Sequence, residues 1–309
     1  MRQPAPSADP GPIGAATPDS IGNRTDCWGV RFHCILPPMA KGQVELYDNV
    51  YADFASSAEA AVRQETYGED LGQTSWLTAG EWIRFADRLG VGAESDVLEV
   101  GSGSGGPAVH LAAARGCRVT GVDINEHGVR NAIDLARARG LGGRAEFRAV
   151  DAGLPLPFPD GRFDAVVSND AMCHIADRLA VLRDWYRILR PGGRALFTDA
   201  MVVTGMVSHE ELATRSSIGF YLVVPPGVNE GLLEAAGFAV RDVEDVTANA
   251  AEVAQRWCRA RDRHRDALVA REGQANFDGL QRFLTCVHTL SVERRLSRYA
   301  YLAEKPGRA

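Results

Sequence analysis

From Asp96 onward, short runs of consecutive apolar residues alternate with stretches in which apolar positions recur at helical spacing. Val97 to Val100, Arg118 to Asp123, Ala145 to Val150, Phe163 to Ser168 and Gly193 to Thr198 read as strands, each short, mostly apolar and bounded by turn residues. Helical patterns separate them over Pro107 to Arg115, Glu126 to Arg139 (closed by Gly140) and Arg178 to Leu189. Such alternation predicts a parallel sheet, because each crossover between parallel neighbours lays a helix on one face or the other. Upstream, Gln43 onward suggests short helices, ending in Thr78 to Gly90, where helical spacing is closed by glycine. Downstream the rhythm loosens. Ser208 to Phe220 and Asn229 to Gly237 read as helices, Ala239 to Val246 as a strand, Ala250 to Glu272 and Phe277 to Val292 as helices, and Ser297 to Glu304 as the last strand. The expected fold is α/β: a Rossmann-like, seven-stranded, mostly parallel sheet with helices on both faces. A helical lid is expected from about 43–80, 201–230 and 247–292.

Residues 1 to about 40 carry seven prolines and no sustained periodicity, so 1–42 is expected to be a disordered leader and 43–306 one domain. Within that leader, Cys27 to Leu36 is an apolar patch. The start has no apolar core of a signal sequence, and no run approaches the roughly 18 apolar residues of a membrane span, so a cytoplasmic protein with no membrane partner is expected. A net charge of −6 gives no general attraction to nucleic acid and favours a small-molecule partner; a homodimer stays open. The six cysteines are scattered without a CxxC pair and read as free thiols.

Chemistry enters at Asp96 to Gly106, an apolar strand with Glu99 near its end that runs into a glycine-dense turn. Residues without a Cβ are needed where a strand turns at once into a helix and a ligand approaches its backbone. Gly101, Gly103 and Gly106 fit the GxGxxG of NAD- or FAD-binding folds, whereas Gly101, Gly103 and Gly105 fit the GxGxG of S-adenosylmethionine (SAM) methyltransferases. Asp123 ends the second strand, where a carboxylate can accept hydrogen bonds from ribose hydroxyls in either class. Asp151 follows the third strand and Asn169-Asp170 the fourth, so polar side chains converge at the carboxyl edge of the sheet.

Over residues 43–306 the chain resembles the class I SAM-dependent methyltransferases, through Leu98 to Gly105, Gly121-Val-Asp123, Asp151-Ala152 with Leu154 to Asp164, and Arg190-Pro-Gly-Gly-Arg194. Four segments in order assign the glycine turn to SAM. The resemblance implies that Glu99 lies by the methionine part of the cofactor, that Gly101, Gly103 and Gly105 allow its close approach, and that Asp123, with Ile124 beside it, binds the ribose. It also implies that Asp151 and Ala152 lie by the adenine. Tyr67 to Trp76 and Asn169 to His174 are similar to segments of the phosphoethanolamine and glycine/sarcosine/dimethylglycine N-methyltransferases. By that similarity Tyr67 or a nearby tyrosine, Ser75, Trp76 and Asn169 touch cofactor or active site, while Asp170 and His174 face the acceptor; Trp76 stands where such relatives carry glycine.

Methyl transfer from a sulfonium is an in-line displacement that needs positioning and proton handling but no metal. His174, whose ordinary pKa near 6.5 suits that work, is the expected base, and Asp170 is expected to hold a cationic amine. Arg215, Tyr221, Trp257, His264 and His288 are candidates to line the acceptor cavity, although Arg215 reads more plainly as exposed on an amphipathic helix. The basic run Arg256 to Arg265 reads as a solvated helix face. The expected function is methylation of a small amine, with O- or C-methylation of a natural product and SAM binding without turnover as the alternatives.

Overall fold

The computed structural model describes residues 47–52 and 54–307; the leader over 1–42 lies outside them. The elements run α1 (Tyr47–Ala52), α2 (Ser57–Tyr67), α3 (Ala79–Leu89), β1 (Asp96–Val100), α4 (Gly106–Arg115), β2 (Arg118–Asp123), α5 (Glu126–Ala138), β3 (Ala145–Ala149) and β4 (Phe163–Ser168). They continue with α6 (Arg178–Ile188), β5 (Leu189–Val203), α7 (His209–Arg215), α8 (Val228–Ala235), β6 (Ala239–Asp245), α9 (Thr247–Arg263), α10 (Arg265–Glu272), α11 (Gln274–Val292) and β7 (Leu296–Glu304).

The seven strands hydrogen-bond in the order β3-β2-β1-β4-β5-β7-β6. Strands β1 to β5 pair in parallel, and β7 runs antiparallel between β5 and β6. Every residue of β1 is buried, which is why it lacks the polar alternation of an edge strand. One face of the sheet packs Trp82, Phe85, Leu111 and Ala132 from α3, α4 and α5. The other packs Leu182, Trp185, Ile188 and Leu233 from α6 and α8. A separate apolar cluster joins Val62, Trp76, Ile218, Trp257, Phe277 and Phe283, so α2, the chain after it, α9 and α11 cover one end of the sheet together.

The late elements depart from the sequence pattern at two places. The helix expected over Ser208 to Phe220 stops at Arg215, because the following chain gives its backbone to other partners: Leu222 N donates to Cys173 O at 2.7 Å and Val224 N to Met201 O at 3.0 Å. The helix expected over Ala250 to Glu272 breaks at His264, where the backbone leaves helical geometry and the ring turns to Glu65 at 2.7 Å. Among the described residues no helix is long and apolar enough to cross a membrane.

Candidate active site

At the carboxyl ends of β1, β2, β3 and β4 lies a cavity of about 400 Å³, within the usual range for a small-molecule site. Its inner half is the turn after β1. Gly101, Gly103 and Gly105 all have positive φ, 74°, 52° and 76°, which favours glycine on backbone grounds alone. Packing adds a second requirement. A Cβ on Gly101 would lie 2.4 Å from the Ala171 side chain, and one on Gly106 1.8 Å from the Leu71 carbonyl. Gly106 is therefore spent on the strap formed by residues 68–78, and Gly105 on Ala132 and Phe147, which a Cβ would meet at 2.5 and 2.9 Å. Gly101 and Gly103 face the cavity, so the expected place of Gly105 against the cofactor is corrected to a packing role. Gly106→Ala should force strap and turn apart, costing about 1–3 kcal/mol as overpacking does; an unchanged midpoint in chemical denaturation would refute this contact.

Asp123 closes the turn: its Oδ2 accepts from Gly103 N and its Oδ1 from Asn125 N, both at 2.8 Å. Burial lifts the Asp123 pKa, and the backbone amides offset part of that lift. Ile124 beside it is 70% exposed at the cavity wall, an apolar surface awaiting a flat partner. Asp151 and Ala152 line the same end, with Asp151 Oδ1 bound to Gly153 N at 2.8 Å.

Glu99 is the most unusual group. Its Oε1 accepts from Asn169 Nδ2 at 3.2 Å and the Ala108 amide of α4 lends a weaker pull, while Oε2 has hydrogen-bond geometry with none of the described residues. Burial, eased by Asn169 and reinforced by the nearby charge of Asp123, pushes its pKa up to about 8. Asn169 Oδ1 is likewise buried and unpartnered among the described residues. Two orphan acceptors beside a glycine cradle fit a ligand that brings an ammonium group to this spot.

Ser75 and Trp76, on the strap, line the cavity as the resemblance implied. Tyr67 does not: its hydroxyl donates to Ser75 O at 2.8 Å and braces the strap from behind. Tyr51 on α1 reaches the glycine turn instead, close enough that a Cβ on Gly103 would lie 2.7 Å from its hydroxyl. No periodicity singled it out, since α1 is only six residues long.

Asp170 corrects the expectation most sharply. Its Oδ1 accepts from Thr198 Oγ1 at 2.8 Å and Arg298 Nε at 2.7 Å, and its Oδ2 accepts from Trp76 N at 3.0 Å. Asp170 lines the cavity, but its carboxylate is paired with a buried guanidinium and is not a free charge set aside for a cationic amine. Its φ of 58° is a strained setting for a residue with a Cβ, held by those bonds.

The outer half of the cavity is walled by Trp76, Ile218, Phe220, Tyr221, Trp257 and Phe283, with Cys173, His174 and Arg215 among them. His174 stands in a short turn after β4, its ring 4.4 Å from that of Tyr221. Its Nδ1 lies 2.8 Å from Phe220 O; a carbonyl only accepts, so Nδ1 carries the proton and the neutral ring keeps its lone pair on Nε2. Burial lowers the His174 pKa, the Phe220 carbonyl opposes this, and Arg215 adds to the lowering. Arg215 is 1% exposed, contrary to its reading as a surface residue, and its guanidinium lies over the rings of Tyr221 at 4.6 Å and Phe283 at 5.1 Å.

His264 and His288 do not line the cavity. His264 is engaged by Glu65, and His288 Nδ1 donates to Ala251 O at 2.9 Å. Within the basic run, Arg256 pairs with Glu252, Arg261 with Glu272, Arg263 with Glu65 and Arg265 with Asp278. These ion pairs leave the arginines of the run on ordinary helix surface, with Arg261 the buried exception among them.

A mostly parallel sheet with a glycine turn after its first strand, an acid after the second and buried acceptors between is the setting of a nucleotide-bearing cofactor. Residues 98–197 match the family described as a methyltransferase domain. The chain is 30% identical over 262 residues to 27-O-demethylrifamycin SV methyltransferase of Amycolatopsis mediterranei (strain S699), covering 81% of this chain and 90% of that protein. It is 30% identical over 196 residues to phosphoethanolamine N-methyltransferase of Triticum aestivum, covering 63% of this chain and 38% of that protein. Among solved structures, that of the cyclase SpnF superposes with a TM-score of 0.67 at 25% identity, covering 85% of this chain and 94% of that one. The chain belongs to the class I SAM-dependent methyltransferases. SAM is its cofactor, and it supplies a methyl group on a positively charged sulfur when bound.

Proposed function

We propose that this enzyme transfers the methyl group of SAM to a hydroxyl of an apolar, ring-bearing small molecule, with His174 as the base. The observation that carries the reading is the setting of His174: a neutral imidazole, its Nδ1–H tied to Phe220 O, in a chamber walled by aromatic residues. A hydroxyl must lose its proton as it attacks, and an imidazole held neutral is suited to accept it. An aromatic wall favours a flat or apolar acceptor, and the buried Arg215 disfavours a cationic one. Similarity to a rifamycin O-methyltransferase over nearly that protein's whole length supports the same reading.

Cofactor roles are assigned here by position. Glu99 and Asn169 would take the ammonium of the methionine part, Gly101 and Gly103 its close approach, and Asp123 the ribose. Ile124, Asp151 and Ala152 would take the adenine, with Ser75, Trp76 and Tyr51 closing over the bound cofactor.

The amine reading rests on the similarity to phosphoethanolamine N-methyltransferases, but the carboxylate meant to hold the amine is bound to Arg298. A screen of SAM turnover, read as S-adenosylhomocysteine formed, separates the two: phenols and polyketide hydroxyls against glycine, sarcosine, dimethylglycine and phosphoethanolamine. Turnover confined to the hydroxyl acceptors is expected; turnover confined to the amines would overturn the proposal.

A further inference from the structure

The chain after α2 reaches the cavity at Trp76, and both polar groups of that residue's backbone are held by side chains from other elements. Trp76 N donates to Asp170 Oδ2 at 3.0 Å, after β4. Trp76 O accepts from Asn249 Nδ2 at 2.8 Å, on α9. Asn249 Nδ2 also donates to Glu81 Oε2 at 2.9 Å, on α3. Arg298, on β7 and 1% exposed, joins the two arms: its Nε donates to Asp170 Oδ1 at 2.7 Å and its Nη1 to Glu81 Oε1 and Oε2 at 2.9 and 2.8 Å. The bonds close a ring from Trp76 N through Asp170, Arg298, Glu81 and Asn249 back to Trp76 O.

We infer that Arg298 is the positioning residue for methyl transfer, fixing Trp76 over the cavity through Asp170 on one side and through Glu81 and Asn249 on the other. Three features carry this. The ring is assembled from four separate elements and the strap, so its closure reports that all of them are in place. All its members but the half-buried Asn249 are buried, in a setting where each charge-assisted bond is strong and each broken one costly. And it ends on one residue whose indole stacks on Phe283 at 6.3 Å and meets Trp257 edge-on at 6.2 Å in the acceptor half, while the neighbouring Gly72 to Ser75 face the glycine turn.

Arg298 itself touches neither half of the cavity. It acts through the strap, and it acts for any acceptor, since the ring seats the cofactor's cover. Burial alone would lower the Arg298 pKa, and the two carboxylates together raise it instead, so the guanidinium keeps its charge. Burial outweighs Arg298 at Glu81 and raises that carboxyl. Two acids share one cation, and the second acid is the one held toward neutrality.

Asn249→Ala and Glu81→Gln each open the ring without leaving a buried cation alone, and Arg298→Lys keeps the charge without the fork that reaches both acids. The readouts are the affinity for S-adenosylhomocysteine by calorimetry and hydrogen exchange of the segment 69–78, beside that of the strands over 96–100 and 163–168. We expect all three variants to bind S-adenosylhomocysteine about tenfold more weakly or worse and to lose protection over 69–78, with exchange in the two strands unchanged. The inference fails if affinity and strap protection stay at the parent level in Asn249→Ala and Glu81→Gln. It fails equally if protection falls in the strands as much as in the strap, for then Arg298 only holds the fold together. Arg298→Met, which strands two carboxylates, is expected to be worse than Arg298→Lys wherever it folds. None of these readouts requires a methyl acceptor, so they stand apart from the hydroxyl proposal.

Discussion

His174→Asn lowers turnover of the best acceptor by about 10²- to 10⁴-fold, the usual contribution of a general base, while affinity for S-adenosylhomocysteine stays at the parent level. Asparagine is the informative replacement because its side-chain NH₂ can still donate to Phe220 O in place of Nδ1–H, so the turn keeps its tie and loses only the base. The pH profile supplies the second arm. A base works when neutral, and burial holds the His174 pKa below its ordinary 6.5, so at saturating cofactor the parent's acid limb has its midpoint below 6.5 and the rate is flat at pH 7 and above. In stability the same group acts with the same sign. The unfolded chain binds a proton below 6.5 that the folded one resists, so stability falls as pH drops through that window. Full activity in His174→Asn, or an acid limb unchanged by the substitution, would remove His174 from the chemistry.

Cofactor binding is expected to tighten as pH rises toward 8, and Glu99→Gln to abolish that dependence. Without ligand the buried Glu99 carboxyl, with a pKa of about 8, is protonated at pH 7. An ammonium arriving at its orphan Oε2 restores the carboxylate, so binding at pH 7 releases about one proton. Calorimetric titration with S-adenosylhomocysteine in buffers of different ionisation enthalpy measures this release directly. No proton release in the parent, or equal release in Glu99→Gln, contradicts the placement of Glu99 against a cation. In the ligand-free protein the sign runs the other way. The unfolded glutamate ionises near 4.5 and the folded one near 8, so stability declines as pH rises between them.

Local physics explains which parts of this molecule were legible in its sequence. Strand β1 was plain because a central parallel strand, buried on both faces, shows an apolar run without polar alternation, and the turn after it because positive φ and close packing leave room for little besides glycine. What a one-dimensional pattern cannot carry is who pairs with whom. Asp170 looked like a substrate ligand by similarity alone, because its cation, Arg298, is 128 residues away on the last strand. Arg215 looked exposed because helical spacing places it on α7 without revealing the rings of Tyr221 and Phe283 that cover it. Tyr51, on a helix of six residues, gave too short a period to be noticed.

Thr198 and Asp199 sit side by side near the end of β5, and each feeds a different arginine. Thr198 lies with Arg298 and Asp170, beneath Trp76, while Asp199 Oδ2 accepts from Arg178 Nη1 at 2.6 Å, whose Nη2 grips Leu222 O at 2.9 Å. The two covers of the cavity are thus tethered to adjacent residues of one strand, and every tether named here ends on main chain: Trp76 N and O, Ser75 O, Phe220 O, Leu222 N and O. A grip on amides and carbonyls is blind to the identity of the residue gripped. The side chains that greet the acceptor can therefore be exchanged while the covers stay moored, and one scaffold can be retargeted to new acceptors without being rebuilt.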